Sequence, residues 1–318
     1  MSQADLDVLL LAAGLGQRLR PLTEQVPKAL LPVCGVPLLD RHLARLLGDE
    51  IPTFGAAPPP RIRRVVVNTH HLAEQISAHI ERHAHRERIV LSHEPAILGT
   101  GGAIAQALPH LRSDPFIVIN SDALFDAPLA ACLAWHAARS FPATLILVAA
   151  PRWASVFVAG DTVREIRRGQ RFPDAFTFSG CHVVSQELAR ALPRHAFHDV
   201  IETYAALTGV RRLGAFVVRD PDAPFLDVGT PGDYLAAHRR LMGPEFQHRG
   251  FRDPSAMIGP EAWVEESVVL GGARLDPGTH LRRCIIGPGA CAGGDLHDLL
   301  VTGRGNRAIE AALDEPHG

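Results

Sequence analysis

A cluster of glycines and basic residues follows the first apolar run of the chain, residues 8–12. Gly14 and Gly16 can bring backbone N–H groups close to phosphate oxygens, because glycine has no side chain in the way. Arg18 and Lys28 supply positive charge for such a group. Lys28 is the only lysine among the 32 basic residues, which suggests a position where a compact point charge matters. The cluster therefore predicts a phosphate-binding site.

Two common glycine loops do not fit this segment. A dinucleotide-binding loop has the spacing G-x-G-x-x-G, and its third glycine would fall on Leu19. The phosphate loop of the ATPases ends in Gly-Lys-Ser or Gly-Lys-Thr, which does not occur in this sequence. A nicotinamide-dependent oxidoreductase is therefore disfavoured, and so is a P-loop enzyme.

Two aspartates stand at the ends of predicted strands. Asp122 follows the apolar residues 116–119, and Asp227 lies near the end of residues 224–228. In open α/β sheets ligands bind at the carboxyl ends of strands. Mg²⁺ typically takes one or two carboxylates together with phosphate oxygens and water. Taken alone, however, an aspartate that follows a strand is more typical of a turn or a helix cap than of a metal ligand.

The elements that would position these residues alternate along the chain. Strands are predicted at residues 8–12, 65–68, 89–91, 116–119 and 144–149, with helices at residues 37–47, 72–80, 102–108 and 129–138. This alternation predicts an α/β fold with a Rossmann-like, mostly parallel mixed sheet flanked by helices. Further along we predict a loop at residues 49–60, an antiparallel insertion at 153–185, strands at 213–219 and 224–228, and a helix at 231–241.

The C-terminal part has a different pattern. Ile258, Val264 and Leu270 recur every six residues among glycines and small side chains, which predicts a short left-handed β-helix remnant built of hexapeptides. About two coils fit the sequence. Because three repeats are normally needed for stability, we expect the coils to lean on the main domain or on a partner. We predict a main domain at residues 1–245, coils at 246–302 and a disordered or loosely helical tail at 303–318.

The composition excludes several classes of protein. The formal net charge of the 318 residues is −2, which gives no support for binding to nucleic acid or to a membrane surface. Asp5 and Asp7 stand where a signal peptide would carry positive charge, so we expect a cytoplasmic protein. The five cysteines include no C-x-x-C pair, which argues against a zinc cluster or a disulfide framework.

Residues 11–32 resemble the signature of the nucleoside-diphosphate-sugar pyrophosphorylases, which are sugar-1-phosphate nucleotidyltransferases. The resemblance extends over about residues 6–242. Residues 94–102 are similar to the loop that contacts the base and ribose, residues 178–180 to the sugar-contact strand, and residues 225–231 to the second metal-binding segment. The resemblance implies an enzyme that condenses a nucleoside triphosphate with a sugar 1-phosphate, uses Mg²⁺ and releases pyrophosphate.

The resemblance also implies roles for single residues. Arg18 and Lys28 would be catalytic, because in the family such residues stabilise the triphosphate, and Asp122 and Asp227 would bind Mg²⁺. The residues implied to bind the nucleotide are Leu11, Ala12, Ala13, Gly14, Gly16, Glu94, Gly99, Thr100 and Gly101. The residues implied to bind the sugar phosphate are Asn120, Gly180 and Glu165.

One segment departs from the family pattern. Many relatives carry Glu-Lys-Pro near the sugar phosphate, whereas residues 165–168 of this chain are Glu-Ile-Arg-Arg. Arg167 or Arg168 would then meet the sugar phosphate in place of the lysine. The identity of the acceptor therefore stays open at this point.

The exact activity and the substrates stay open as well. The same fold could serve a non-catalytic regulatory subunit, or a nucleotidyltransferase with a non-sugar acceptor such as phosphocholine. The chain resembles both the N-acetylmuramate 1-phosphate uridylyltransferases and the mannose-1-phosphate guanylyltransferases, so neither base nor sugar follows from the sequence. The coil segment is a candidate contact for a homo-oligomer.

Overall fold

The computed structural model describes residues 5–48, 61–150, 152, 154–167, 172–219 and 225–310. These residues form two compact units. The first unit comprises the described parts of residues 1–14 and 39–225, and the second those of residues 15–38 and 226–318. The expected loop at residues 49–60 and Arg168 lie outside the described residues. Within the described parts, no helix is long and apolar enough to cross a membrane.

Strands occur in both units. Numbered along the chain, they are β1 (Leu6–Leu11), β2 (Pro32–Val33), β3 (Val36–Pro37), β4 (Ile62–Thr69), β5 (Ile89–His93), β6 (Phe116–Asn120), β7 (Ala123–Phe125), β8 (Ala143–Val148), β9 (Val156–Ala159), β10 (Thr162–Ile166), β11 (Thr177–Val184), β12 (Leu213–Val218), β13 (Phe225–Asp227), β14 (Phe251–Arg252), β15 (Met257–Ile258), β16 (Trp263–Glu265), β17 (Val268–Val269), β18 (Arg274–Leu275), β19 (His280–Arg282), β20 (Ile285–Ile286), β21 (Cys291–Ala292), β22 (Asp295–His297), β23 (Leu299–Thr302) and β24 (Gly305–Ala308).

The helices lie mainly in the first unit. Numbered in the same way, they are α1 (Leu38–Leu47), α2 (Ala73–Glu81), α3 (Gly99–Ala107), α4 (Leu129–Ala137), α5 (Gln186–Ala191), α6 (Val200–Gly209), α7 (Pro231–Met242) and α8 (Glu245–Arg249).

The first unit is built on a nine-stranded mixed sheet with the order β5-β4-β1-β6-β11-β8-β12-β10-β9. Four strands from β5 to β6 run parallel, as do β8 and β12, whereas β11 is antiparallel to both of its neighbours. Val8, Leu9 and Leu10 of β1 are fully buried, as expected for strands covered on both faces. The predicted fold class is confirmed. The predicted antiparallel insertion contains the hairpin of β9 and β10.

Helix α1 follows the predicted apolar spacing. Leu38, Leu39, Leu43, Leu46 and Leu47 are all buried, because positions three and four apart share one helix face. The sequence analysis did not predict α5 and α6. Their N-termini are capped by Ser185 and Asp199, whose side chains accept backbone N–H groups at 3.2 and 3.0 Å.

The second unit joins residues 15–38 to the C-terminal part of the chain. The hydroxyl of Tyr234 on α7 donates a hydrogen bond to the carbonyl oxygen of Pro32. Gly35, in the turn between β2 and β3, lies against Phe251 of β14, since a Cβ at Gly35 would be 3.5 Å from that ring. The start and the turn of the β2–β3 hairpin therefore both contact residues that lie about two hundred positions later in the sequence.

The coils are more numerous than the sequence analysis expected. Phe251 pairs with Val268, Val268 with Ile285, and Ile285 with Leu300, which stacks four strands and gives three coils instead of about two. The first two steps span 17 residues each. A strict hexapeptide repeat would give 18, and this one-residue deficit explains why the apolar phase slips before Ile286. The interior is apolar, with Val264 and Leu281 among its buried residues.

The expected disordered or loosely helical tail is wrong for residues 305–308. They form β24, which pairs antiparallel with β23 and closes the last coil. Ile309 follows in a buried position, and its N–H donates to the carbonyl oxygen of Asp298 at 2.7 Å. Residues 311–318 lie outside the described residues, and the domain boundaries at residues 245 and 302 stay predictions.

Candidate functional site

Residues 15–31, which we call the signature loop, fold as three short 3₁₀ turns in the second unit. Leu19, Leu22 and Thr23 are fully buried and anchor the loop. Gly16 has a φ of +59°, and a Cβ there would lie only 2.7 Å from Thr23 Cγ2. The Thr23 hydroxyl in turn donates to the Gly16 carbonyl at 2.8 Å. Glycine is therefore required at position 16 by the loop itself, whatever ligand the loop binds.

Arg18 projects from this anchored loop into solvent. Its side chain is 62% exposed, and Nη2 lies 3.9 Å from Oδ2 of Asp227, whose side chain is 17% exposed. Gly229 makes this approach possible, because a Cβ there would lie 2.6 Å from Arg18 Nη2. The pair combines a group that binds phosphate oxygens with a group that binds cations.

Lys28 occupies a different environment. It begins the third 3₁₀ turn and is only 8% exposed, with its stem beside Gly16. Lysine commonly buries its aliphatic stem while the ammonium group reaches a polar partner. The two predicted catalytic cations therefore lie in the same loop, one exposed and the other largely buried.

In the first unit, a buried hydrogen-bonded chain links the carboxyl ends of β1 and β4 to the start of α3. The Ala12 N–H donates to Asn68 Oδ1 at 2.6 Å, and Asn68 Nδ2 donates to Glu94 Oε1 at 2.7 Å. The Leu98 N–H donates to Glu94 Oε2 at 3.1 Å. Glu94 is 1% exposed, and burial raises the pKa of its carboxyl group. The Glu94 carboxylate therefore connects the segment after β1, through Asn68, with the segment before α3.

Sequence reasoning named Glu94 but gave no role to Asn68. The available signal was a polar residue at the end of the apolar strand β4, next to the carboxyl ends of β1 and β5. Leu11 and Ala13 flank the Ala12 amide at the end of β1, and Gly14 follows them. The structure thus brings two of the predicted nucleotide-binding residues, Leu11 and Ala12, next to Asn68, the partner of Glu94.

The glycines at the start of α3 pack against another segment of the first unit. A Cβ at Gly101 would lie 2.4 Å from the His198 ring, and a Cβ at Gly99 would lie 2.7 Å from the His198 carbonyl oxygen. That carbonyl accepts the Gly101 N–H at 2.9 Å, and the His198 N–H donates to the Leu98 carbonyl at 2.8 Å. Close packing therefore accounts for these glycines, while nucleotide binding by Gly99, Thr100 and Gly101 stays a prediction.

Asn120 and Gly180 come together at the end of β6 and in the irregular middle of β11. Gly180 has a φ of +76°, and a Cβ there would lie 2.7 Å from Asn120 Nδ2. The register of β11 against β8 shifts between Phe178 and His182, in the segment that contains Gly180. Two of the three predicted sugar-phosphate residues are therefore neighbours.

Glu165 is not beside them. It lies on β10, and the strands β8 and β12 separate β10 from β11 in the sheet. Its carboxylate accepts two hydrogen bonds from Arg167, at 2.6 and 2.7 Å, and this pairing lowers the pKa of Glu165. The Arg167 guanidinium also stacks on Phe157 and Phe172. Arg167 is thus engaged by its own neighbours on the edge of the sheet.

Asp122 follows β6 and is half-buried. Helix α1 holds the segment that follows Asp122 by hydrogen bonds. Arg45 on this helix donates to the Phe125 carbonyl at 3.0 Å and to the Asp126 carboxylate at 2.8 Å. His42, one turn earlier on the same helix face, is near Asp122, and burial lowers its pKa to about 4. Sequence reasoning missed both helix residues, whose polar character within an apolar helix face was the available signal.

Comparisons with known proteins identify the family of the chain. A family model described as nucleotidyl transferase matches residues 7–155. The N-acetylmuramate alpha-1-phosphate uridylyltransferase of Caulobacter vibrioides is 32% identical over 255 residues, which cover 76% of this chain and 99% of that protein. The chain belongs to the nucleotidyl transferase family. The expected place among the sugar-1-phosphate nucleotidyltransferases is confirmed.

Further relatives of this nucleotidyl transferase extend the match. The mannose-1-phosphate guanylyltransferase of Mycobacterium tuberculosis is 30% identical over 307 residues, covering 90% of this chain and 81% of that protein. Among solved structures, HddC from Yersinia pseudotuberculosis has a TM-score of 0.61 at 24% identity, covering 74% of this chain and 99% of that chain. UDP-glucose pyrophosphorylase from Acinetobacter baumanii has a TM-score of 0.60 at 18% identity, covering 76% of this chain and 95% of that chain. At such identities these two structures support the fold alone.

Proposed function

We propose that this nucleotidyl transferase joins a nucleoside triphosphate to a sugar 1-phosphate and releases pyrophosphate. The observation that carries the proposal is the exposed Arg18 guanidinium, 3.9 Å from the Asp227 carboxylate in a loop anchored by buried side chains. Relatives named for this reaction are matched over most of their length, which supports the same conclusion.

The reaction requires little proton chemistry from the protein. An anionic phosphate oxygen of the sugar 1-phosphate attacks the α-phosphorus, a new phosphorus–oxygen bond forms, and the bond to the β-phosphate breaks as pyrophosphate leaves. Because the nucleophile is already an anion, no general base is needed. The work of the protein is positioning and neutralisation of charge. In this proposal Arg18 and Lys28 bind phosphate oxygens of the triphosphate.

The donor atoms of this chain suit a hard divalent cation. Asp122 and Asp227 each offer a partly exposed carboxylate at the end of a strand. Across the described residues, no group of three or more His, Cys, Asp or Glu residues could hold a metal ion by itself. Two carboxylates are enough for Mg²⁺, which takes one or two of them and completes its octahedron with substrate phosphates and water. When bound, Mg²⁺ would neutralise charge on the reacting phosphates, with Asp122 and Asp227 as its proposed ligands.

The nucleoside is proposed to bind over the Asn68–Glu94 pair. This pair fixes the Ala12 amide at the end of β1 and the Leu98 amide before α3. The N-terminus of α3, which is the positive end of its helix dipole, also favours anionic or acceptor atoms of a ligand. Glu94 acts in this proposal as a positioning residue beneath the nucleotide, since it is almost completely buried.

The sugar phosphate is proposed to bind near Asn120 and Gly180. The irregular backbone of β11 and the Asn120 amide offer hydrogen bonds side by side at the carboxyl end of β6. The Glu165 carboxylate and the Arg167 guanidinium are instead paired with each other at 2.6 and 2.7 Å. We therefore propose Asn120 and Gly180, before Glu165 and Arg167, as the residues that bind the sugar phosphate.

Two substrate pairs should be tested first. The match to the M. tuberculosis guanylyltransferase covers 90% of the chain and must include part of the coils, because residues 1–245 make up only about three quarters of it. The match to the C. vibrioides uridylyltransferase covers 76%. We therefore place GTP with mannose 1-phosphate first, and UTP with N-acetylmuramate 1-phosphate second.

The test is pyrophosphate release with Mg²⁺ over a grid of nucleoside triphosphates and sugar 1-phosphates, with phosphocholine as a further acceptor. Release that requires one sugar pair supports the proposal. Release with phosphocholine alone would replace the sugar acceptor by a non-sugar one. Nucleotide binding without release from any pair would favour a regulatory subunit of the same fold.

Variants then test the residue roles in the active pair. Arg18→Ala, Lys28→Ala and Asp122→Asn should each lower kcat by about a hundredfold, because each removes charge stabilisation at the phosphates. Their thermal midpoints should change little. Arg86→Ala is the matched control, since Arg86 is as exposed as Arg18 (63%) and, within the described part of the chain, its side chain pairs with its neighbour Glu87. Near-normal turnover in Lys28→Ala or Asp122→Asn would make the corresponding assignment wrong.

A further inference from the structure

The last hairpin of the coils touches the signature loop. Nη1 of Arg307, on β24, donates hydrogen bonds to the carbonyl oxygens of Arg18 at 2.7 Å and Arg20 at 3.2 Å. The turn of the hairpin lies along the same loop, since a Cβ at Gly303 would be 3.6 Å from Gln25 Nε2. Both contacts lie within the second unit.

The hairpin has its own support and does not depend on Arg307. Four residue pairs join β23 to β24, and the Thr302 hydroxyl donates to the Gly305 carbonyl at 2.9 Å. Leu300, Val301 and Ile309 are buried. The Arg307 side chain, in contrast, projects from an exposed strand whose residues contribute nothing to the apolar interior of the coils. Removing it should leave the hairpin folded.

One of the two carbonyls that Arg307 binds belongs to Arg18 itself, and the other belongs to Arg20, two residues further along the loop. Arg18 and Leu19 belong to the first 3₁₀ turn, and Arg20 ends it in an extended conformation. A guanidinium donor is charged and forms stronger hydrogen bonds to carbonyl oxygen than a neutral donor does. Arg307 therefore fixes the direction in which the loop presents Arg18 toward Asp227.

We propose that Arg307 is a positioning residue for nucleotidyl transfer, and that the C-terminal coils act in catalysis by holding the signature loop through it. This inference rests on the proposed function of Arg18. It assigns the coils a role within their own chain, in addition to any contact with a second copy. Displacement of a charge-stabilising group by about 1 Å can lower a rate by up to a hundredfold, so loss of this contact should be visible in turnover.

The chain offers a matched control on the same hairpin. Arg307→Ala and Arg304→Ala each remove one exposed positive charge, but Arg304 makes only a backbone hydrogen bond to Thr302 among the contacts described. Any long-range effect of charge on the triphosphate is therefore common to both variants. Arg307→Lys keeps a charged donor of shorter reach and should restore part of the effect.

Two readouts separate this inference from the proposed function. The first is hydrogen exchange of residues 17–26, which needs no substrate. We expect severalfold faster exchange in Arg307→Ala and wild-type exchange in Arg304→Ala. The second is steady-state kinetics, in which Arg307→Ala should lower kcat by about tenfold with a smaller change in KM for the nucleotide, and Arg307→Lys should fall between it and wild type.

Each outcome decides a different point. Unchanged exchange in Arg307→Ala would overturn the contact, whether or not the wild type is active. Faster exchange with unchanged kcat would overturn its catalytic role. Equal losses of kcat in Arg304→Ala and Arg307→Ala would reduce the effect to net charge and also overturn it. A wild type that releases no pyrophosphate would defeat the proposed function and with it the catalytic role, while the exchange data would still decide whether Arg307 holds the loop.

Discussion

We predict that the free energy of unfolding decreases as the pH falls, and that His182 accounts for part of this decrease. Replacing His182 should remove that part. The residue lies on β11, fully buried, with its ring 5.6 Å from Tyr204 and 5.3 Å from Phe178. Neither ring nitrogen has a hydrogen-bond partner among the described residues. Burial lowers its pKa from 6.5 to about 3, because the charged form loses its hydration. The perturbation is His182→Leu, which removes the titrating group and keeps a buried apolar side chain.

The size of the effect follows from the two pKa values. The folded chain holds His182 neutral, whereas the unfolded chain binds a proton there below about pH 6.5. The unfolded state therefore takes up more protons as the pH falls, and the free energy of unfolding decreases. The contribution of this group is fully present above pH 6.5 and is lost progressively toward pH 3. Between pH 7.5 and pH 5 the loss is about 2 kcal/mol.

The assay is urea denaturation of wild type and variant at both pH values, followed by circular dichroism. Other carboxyl and histidine groups titrate in all proteins compared, so the relevant quantity is the difference between variant and wild type. We expect His182→Leu to lose about 2 kcal/mol less than wild type over this interval. His297→Leu, at an exposed position on β22, should behave as wild type does. An equal loss in His182→Leu and wild type would refute the burial argument.

Three further predictions concern stability and nucleotide binding. Tyr204→Phe should raise the free energy of unfolding by about 1 kcal/mol, because the buried hydroxyl has no partner among the described residues; urea denaturation at pH 7.5 checks it. Gly102→Ala should destabilise the chain by about 1–3 kcal/mol, since its Cβ would lie 2.6 Å from a backbone carbonyl oxygen. Gly209→Ala, in open space within α6, should be neutral or stabilising. The thermal midpoints of the two variants test this difference. Asn68→Ala should raise the Kd for nucleotide about tenfold by calorimetry, because Glu94 loses one of its donors.

Much of the fold could be predicted because its signals are local. The apolar runs of β1, β4 and β6 and the leucine spacing of α1 each lie within one element, and periodicity describes them directly. Helices α5 and α6 were missed because the first has only six residues and the second follows a stretch without clear apolar spacing. Their caps, Ser185 and Asp199, were present in the sequence but precede no strongly amphipathic run.

The candidate site was predictable in its residue types and less so in its contacts. The spacing of Arg18 and Lys28 pointed to phosphate, but burial separates their environments, and burial depends on what packs against the loop. The near-complete burial of Glu94 follows from its partner on another strand, 26 residues earlier. The contact of Arg307 with Arg18 joins residues 289 positions apart, and nothing local in β24 marks it.

The stack of coils also sets a distance within the second unit, and this distance can change only by whole coils. Its first strand meets residues 15–38 at Gly35 through Phe251, and its last hairpin meets them again at Arg18 through Arg307. Each coil adds one strand spacing, about 4.8 Å, which exceeds the tolerance of a hydrogen bond. A chain with one 17-residue coil more or fewer would therefore keep one of these contacts and lose the other. The number of coils is thus matched to the distance between Arg18 and Gly35, the two points of residues 15–38 to which the coils are attached.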